Sequence, residues 1–225
     1  SPTDMGVNRA GFGIVDDQVV REAGKQEVVR RYFRYACERA MGLVDGDSVQ
    51  RIQLLMDELG LTPESRPVVG PARRAAEEAR ALGKGNDGIF CGAAIELGDG
   101  SLVTGCNSPL THAAAALVLN TAKELAGVPR EKQLLPPEVI ESVSHLKKDV
   151  LGRRRISLDA EETLITLAIS ATDNGAARAA LDKLQGLRGC EVHMTHMPSP
   201  GDEAGLRKLG LNVTTDAQSG VKYSD

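Results

Sequence analysis

The chain is 225 residues long, 41% hydrophobic and 26% charged, with 24 Gly and 10 Pro, a composition that excludes disordered, collagenous and membrane-spanning classes. With no Trp, three Phe and three Tyr, its core is expected to be built from Ala, Leu, Val and Ile, and helices are favoured over a β-sandwich. Lys and Arg total 27 against 31 Asp and Glu, so the net charge of −4 leaves no broad electropositive footprint, and nucleic acid is not an expected partner.

Residues 16–41 place Val19, Val20, Ala23, Tyr32, Phe33 and Tyr35 at helical spacing among charged residues, which predicts one long helix. Asp47 or Ser48 is positioned to cap a second helix that stops at Gly60, and residues 66–82 contain a third. Residues 83–88 spell G-x-G-x-x-G, but a helix precedes them and a β-branched stretch follows. That order is the reverse of a dinucleotide fold, so the glycines read as a joint between domains. The boundary is therefore expected there, with a helical subdomain and N-terminal linker over 1–86 and an α/β domain over 87–225.

Beyond the joint, residues 89–97 and 101–105 flank Asp99-Gly100 and predict a β-hairpin. Asn107-Ser108-Pro109-Leu110-Thr111 leads into an Ala-rich helix that starts at His112 and stops at Gly127. A helical insertion follows over about residues 128–189, with Pro136 and Pro137 in the first turn of one helix and two more over 159–171 and 175–187. Residues 190–196 read as a strand, 202–209 as a short helix and 211–215 as a last strand, with a loose tail from Ala217.

The four cysteines, Cys37, Cys91, Cys106 and Cys190, form no C-x-x-C pair and suit a reducing compartment. No basic stretch followed by an apolar core opens the chain, and no run reaches the roughly 18 apolar residues of a membrane span. The expectation is a cytoplasmic protein without membrane contact. Ser1-Pro2-Thr3-Asp4 reads like an internal linker, which points to a missing upstream segment.

The order of hairpin, His-initiated helix, later strand ending in Pro-x-Pro, helix and strand resembles the cytidine deaminase-like fold. Gly92-Ala93-Ala94, Asp99-Gly100, Gly105-Cys106-Asn107 and His112-Ala113-Ala114 stand where that family has its Gly-Ala-Ala strand, Asp-Gly turn, Gly-x-Asn strand end and H-x-E helix start. Its P-C-x-x-C element corresponds to Pro198-Ser199-Pro200-Gly201-Asp202. The resemblance implies a three-layer α/β domain. The family's hydrolysis needs one His and two thiolates on zinc and a proton-shuttling Glu. Here His112 remains, Ala114 replaces the glutamate, and Ser199 and Asp202 replace the thiolates, so zinc-dependent deamination is disfavoured.

Over the whole chain, the strings at 3–11, 91–97 and 190–196, together with Pro200-Gly201-Asp202-Glu203-Ala204-Gly205-Leu206, resemble the C-terminal half of a bacterial family known as domain of unknown function 1846. The resemblance implies a partner in the family's own N-terminal half, expected to be absent here, and a nucleotide in the full-length protein. Some relatives are labelled ATP-dependent zinc peptidases, but the chain has neither H-E-x-x-H nor H-x-x-E-H among its four histidines.

The candidate ligand-binding residues are Asn107, His112, His196, Ser199 and Asp202. His112, at a helix start, either meets a metal or anionic ligand or simply bonds the adjacent loop. Asn107 lies where the related fold contacts a sugar, or forms an ordinary turn. His196 and Asp202 could converge on His112 as a mixed metal site, although no metal is expected; His193 should face the other side of the sheet. Asp202 and Glu203 suit helix capping, and Lys147, Lys148, Arg153, Arg154 and Arg155 form either a phosphate-holding cluster or a solvated turn. The preferred reading is a non-hydrolytic module that binds a nucleotide or small polar metabolite. The alternatives are a structural module forming a homo-oligomer and a zinc-independent transferase.

Overall fold

A computed structural model describes residues 17–219, and the expected opening linker and most of the tail lie outside them. The described residues hold eight α-helices and one four-stranded sheet, a mixed α+β architecture. The chain divides into two compact units, residues 1–66 and 67–225.

In the first unit, α1 (Asp17–Ala40) packs on α2 (Gly46–Glu58). Val29 and Phe33 on α1, and Ile52 and Met56 on α2, are buried, each pair one helical turn apart. Asp45, not Asp47 or Ser48, caps α2, its carboxylate accepting the Ser48 amide at 3.0 Å. A short 3-10 turn, Pro63–Ser65, is tied to α1 by the Gln26 amide on the Ser65 carbonyl.

The second unit opens with α3 (Val69–Ala81). This helix packs on the first strand, so the division lies at Arg66 and Pro67, and the glycine-rich segment 83–88 is an internal loop. β1 (Gly92–Glu96) and β2 (Leu102–Cys106) form the hairpin. Its loop is Gly98-Asp99-Gly100, closed by the Leu97 amide on the Ser101 carbonyl, with only Gly100 at positive φ (81°).

Then come α4 (Ala113–Ala126), α5 (Pro137–His145) with a π-helical turn at Leu146–Val150, α6 (Ala160–Ser170) and α7 (Gly175–Lys183) with a 3-10 turn at Leu184–Leu187. The chain closes with β3 (Glu191–Met194), α8 (Pro200–Lys208) and β4 (Asn212–Thr215). The sheet order is β2-β1-β3-β4; β1 runs antiparallel to both neighbours, and β3 and β4 run parallel.

Period-two alternation sorts the strands into two faces. Ala94 meets Val68 and Ala72 on the α3 side, whereas Ala93, Ile95, Val192 and Met194 join Leu117, Leu167, Ala177 and Leu206 on the other. The helices of residues 128–189 thus supply core side chains, with α6 packed on α8 and α7 on α4. Glycine permits close contact on both sides. A Cβ at Gly92 would lie 2.6 Å from the Ala76 nitrogen, and one at Gly105 would lie 2.8 Å from the Leu117 Cα. A core poor in aromatics is therefore a thin core, with helix backbones resting directly on the sheet.

Candidate functional site

Three helix starts meet beside the C-terminal end of β2. The chain leaves β2 through a loop in which the Ser108 hydroxyl accepts the Leu110 and Thr111 amides. Leu158, just before α6, donates its amide to the Leu110 carbonyl and accepts the His112 amide, both at 2.8 Å. These bonds stitch the start of α4 to the start of α6.

Asp202, in the first turn of α8, closes the group. Its Oδ2 accepts His112 Nδ1 at 2.7 Å and the Ser199 hydroxyl at 2.7 Å, and its Oδ1 accepts the Ala160 amide at 2.9 Å. Ser199 is the cap of α8 and also accepts the Asp202 amide. Asp202 is 3% exposed, so its charge is buried and met by three donors drawn from α4, α6 and α8.

The pair sets the state of the imidazole. Burial disfavours the charged ring, but the bond to Asp202, its charge and that of Asp159 outweigh it, and the His112 pKa lies above its ordinary value. With Nδ1 engaged as the donor, Nε2 is the ring atom left for chemistry with a ligand. The His112 side chain is 27% exposed, enough for contact from outside.

The other expected residues divide differently. Asn107 is buried, and its side chain clamps the start of β1, accepting the Cys91 amide at 2.7 Å and donating to the Ile89 carbonyl at 3.0 Å. The side chain thus ties the end of β2 to the segment that opens β1. His196 bonds Thr195, has its pKa lowered by burial, and feels Asp216 and Arg80 rather than His112. The convergence of His112, His196 and Asp202 is accordingly corrected, and among the described residues no group of three His, Cys, Asp or Glu is arranged to hold a metal ion. His193 is fully buried, bonded to Thr214 and 3.5 Å from Asp216.

Several contributors are absent from the expected set. Asp159 caps α6 in a reciprocal box with Glu162, and burial pushes its carboxyl upward. A Cβ at Gly201 would collide with the Asp159 carboxylate, so glycine is what lets this acid lie against the first turn of α8. The Cys91 thiol is pushed up to about 12, chiefly by burial and then by Asp202, which keeps it neutral. Lys147 is not part of a solvated cluster; it is buried, with its ammonium 2.6 Å from both the Ser157 carbonyl and Glu162. The Asp159-x-x-Glu162 box was the one local signal available for this group.

The family described as "Domain of unknown function DUF1846, C-terminal" matches residues 64–223, well over half of the chain. The chain belongs to this family. The companion description, "Domain of unknown function DUF1846, N-terminal", matches residues 1–60, so DUF1846 sequence here is not confined to the C-terminal half, and the expected absence of N-terminal family sequence is corrected. The junction between the two matches falls close to the division of the compact units.

Among DUF1846 relatives, a UPF0371 protein of Clostridium botulinum (strain Langeland) is 45% identical over 219 residues, 97% of this chain and 43% of its own length. UPF0371 proteins of Clostridioides difficile (strain 630) and Clostridium tetani are 43% and 41% identical over 218 residues, with the same coverage of each chain. The chain thus spans less than half the length of these relatives. Among the described residues no helix is long and apolar enough to cross a membrane.

Proposed function

We propose that the second unit of this DUF1846 protein is a deaminase-like module without the hydrolytic groups, which binds a small polar metabolite of the nucleotide kind at His112. The order of hairpin, His-initiated helix, strand, helix and strand that carries the resemblance runs through one sheet here, which supports the reading. Ala114, buried and fully apolar, stands at the place of the proton shuttle.

The observation that carries the proposal is the 2.7 Å bond between His112 and Asp202 where α4, α6 and α8 begin. Asp202 holds the ring in one tautomer, and the protonated ring offers Nε2–H to a phosphate or carbonyl oxygen. The partial positive charge of three helix starts favours the same ligand atoms.

Calorimetric titration of the chain with AMP, CMP and ATP tests this. Saturable binding by the wild type is expected, tighter at pH 6 than at pH 8 and about tenfold or more weaker in His112→Ala. Absence of binding by all three, or equal binding by the variant, overturns the reading. The same dyad suits zinc-independent proton transfer, with Nε2 exchanging a proton with a bound substrate. Turnover that disappears in His112→Ala without loss of binding would select that reading.

A further inference from the structure

We propose that a cleft at the open edge of the sheet, separate from His112, is a second binding site for a small organic anion. It holds about 230 Å³ where β2, one of the two edge strands, passes between α3 and α4. A nucleotide needs a larger site, since pockets for drug-sized ligands run from about 300 Å³ upward. Asn120 lies eight residues along α4 from His112, roughly 12 Å at helical rise, which sets the cleft two turns away from the His112 group.

The lining explains the choice of an anion. Ala75, Ala79, Leu82 and Val103 make an apolar wall, while Lys84 and Arg130 stand against the single acid Glu78. The Arg130 main chain is anchored by Lys123, whose ammonium donates to the Arg130 carbonyl at 2.7 Å. The strand edge adds backbone donors. Hairpin closure at Leu97 and Ser101, and the Asn107 amide on the Cys91 carbonyl, set the alternation of paired and outward residues. Val103 and Gly105 therefore face β1, and the amides of Thr104 and Cys106 point outward into the cleft. The Thr104 carbonyl is already taken by the Asn120 side chain at 2.9 Å, which leaves the Thr104 N–H as that residue's open edge group. Two cations and two outward N–H groups above an apolar wall suit a carboxylate or phosphate on a short carbon body.

The test is amide NMR of the ¹⁵N-labelled chain titrated separately with glycerol 3-phosphate and with malonate. Saturable shifts at Thr104 and Cys106 are expected with at least one probe, weakened about tenfold or more in the Lys84→Ala, Arg130→Ala double variant and unchanged in His112→Ala. A response to glycerol 3-phosphate alone assigns a phosphomonoester, and one to malonate alone assigns a carboxylate. No saturable shift at these amides with either probe, the same affinity in the double variant, or loss of binding in His112→Ala overturns the proposal. The variant's own amide spectrum reports whether it is folded.

Discussion

His112 Nδ1 and Asp202 Oδ2, ninety positions apart in the chain, lie 2.7 Å from each other, and this bond joins the first turns of two helices. Because it raises the His112 pKa above the ordinary 6.5, its contribution to stability is fully present below about pH 6.5 and is lost as pH rises through the folded value. Asp202→Asn should lower the His112 titration midpoint seen by NMR. It should also destabilise the chain by about 1–3 kcal/mol in urea at pH 6, with a smaller difference at pH 9. An unchanged midpoint would show that the pair does not control the ring.

Asp216 gives the opposite pH signature. Burial works to raise its pKa, but the His193 ring 3.5 Å away and the bonds from Arg73 prevail and hold the carboxyl at about 2, below the ordinary 3.8. The associated stability, about 2 kcal/mol, is present above pH 3.8 and disappears as pH falls through about 2. Arg73→Ala removes a two-pronged contact of 2.6 and 3.1 Å. Its acid unfolding, followed by circular dichroism, should begin at higher pH than that of the wild type.

Lys147 and Glu162 form a pair in which each side also serves the main chain, Lys147 on the Ser157 carbonyl and Glu162 on the Asp159 amide. Lys147→Met alone should cost about 3 kcal/mol in urea unfolding, since it leaves a carboxylate facing an apolar side chain. The Lys147→Met, Glu162→Gln double variant should recover part of that loss. Equal losses in the two variants would argue against coupling.

The sheet glycines are testable as spacers. Gly105→Ala would drive a Cβ into the α4 backbone at Leu117 and should destabilise by about 3 kcal/mol. Gly98→Ala, in the hairpin loop with open space around it and no positive φ, is the matched control and should change the melting temperature little.

Much of this architecture is readable locally. Asp99-Gly100 announces the hairpin because a positive φ is needed at Gly100, and Gly127 ends α4 for the same reason. The glycines at 83–88 resemble a domain joint because loop chemistry reports where a chain turns, not which side of the turn a helix packs against; α3 docks on β1 through Gly92. Asp45 displaced the nearer cap candidates because its extended backbone aims its carboxylate at Ser48. The meeting of His112, Ser199 and Asp202 was legible through family resemblance. Asp159 is announced only by its capping box with Glu162, and the parts played by Cys91, through burial and the charge of Asp202, and by Lys147, through its bond to Glu162, leave no periodicity in the chain. His196 followed β3 past its end, where the strand alternation no longer applies.

Gly92 and Gly105 also set how this fold can change over evolutionary time. With helix main chain seated on strand main chain, there is no side-chain volume at those contacts to trade away. Enlarging one partner cannot be absorbed by trimming a neighbour, as it can in a leucine-rich interior. Substitutions that the second unit can accept without moving its helices are therefore those on their outer faces and in its loops, not at these two seats.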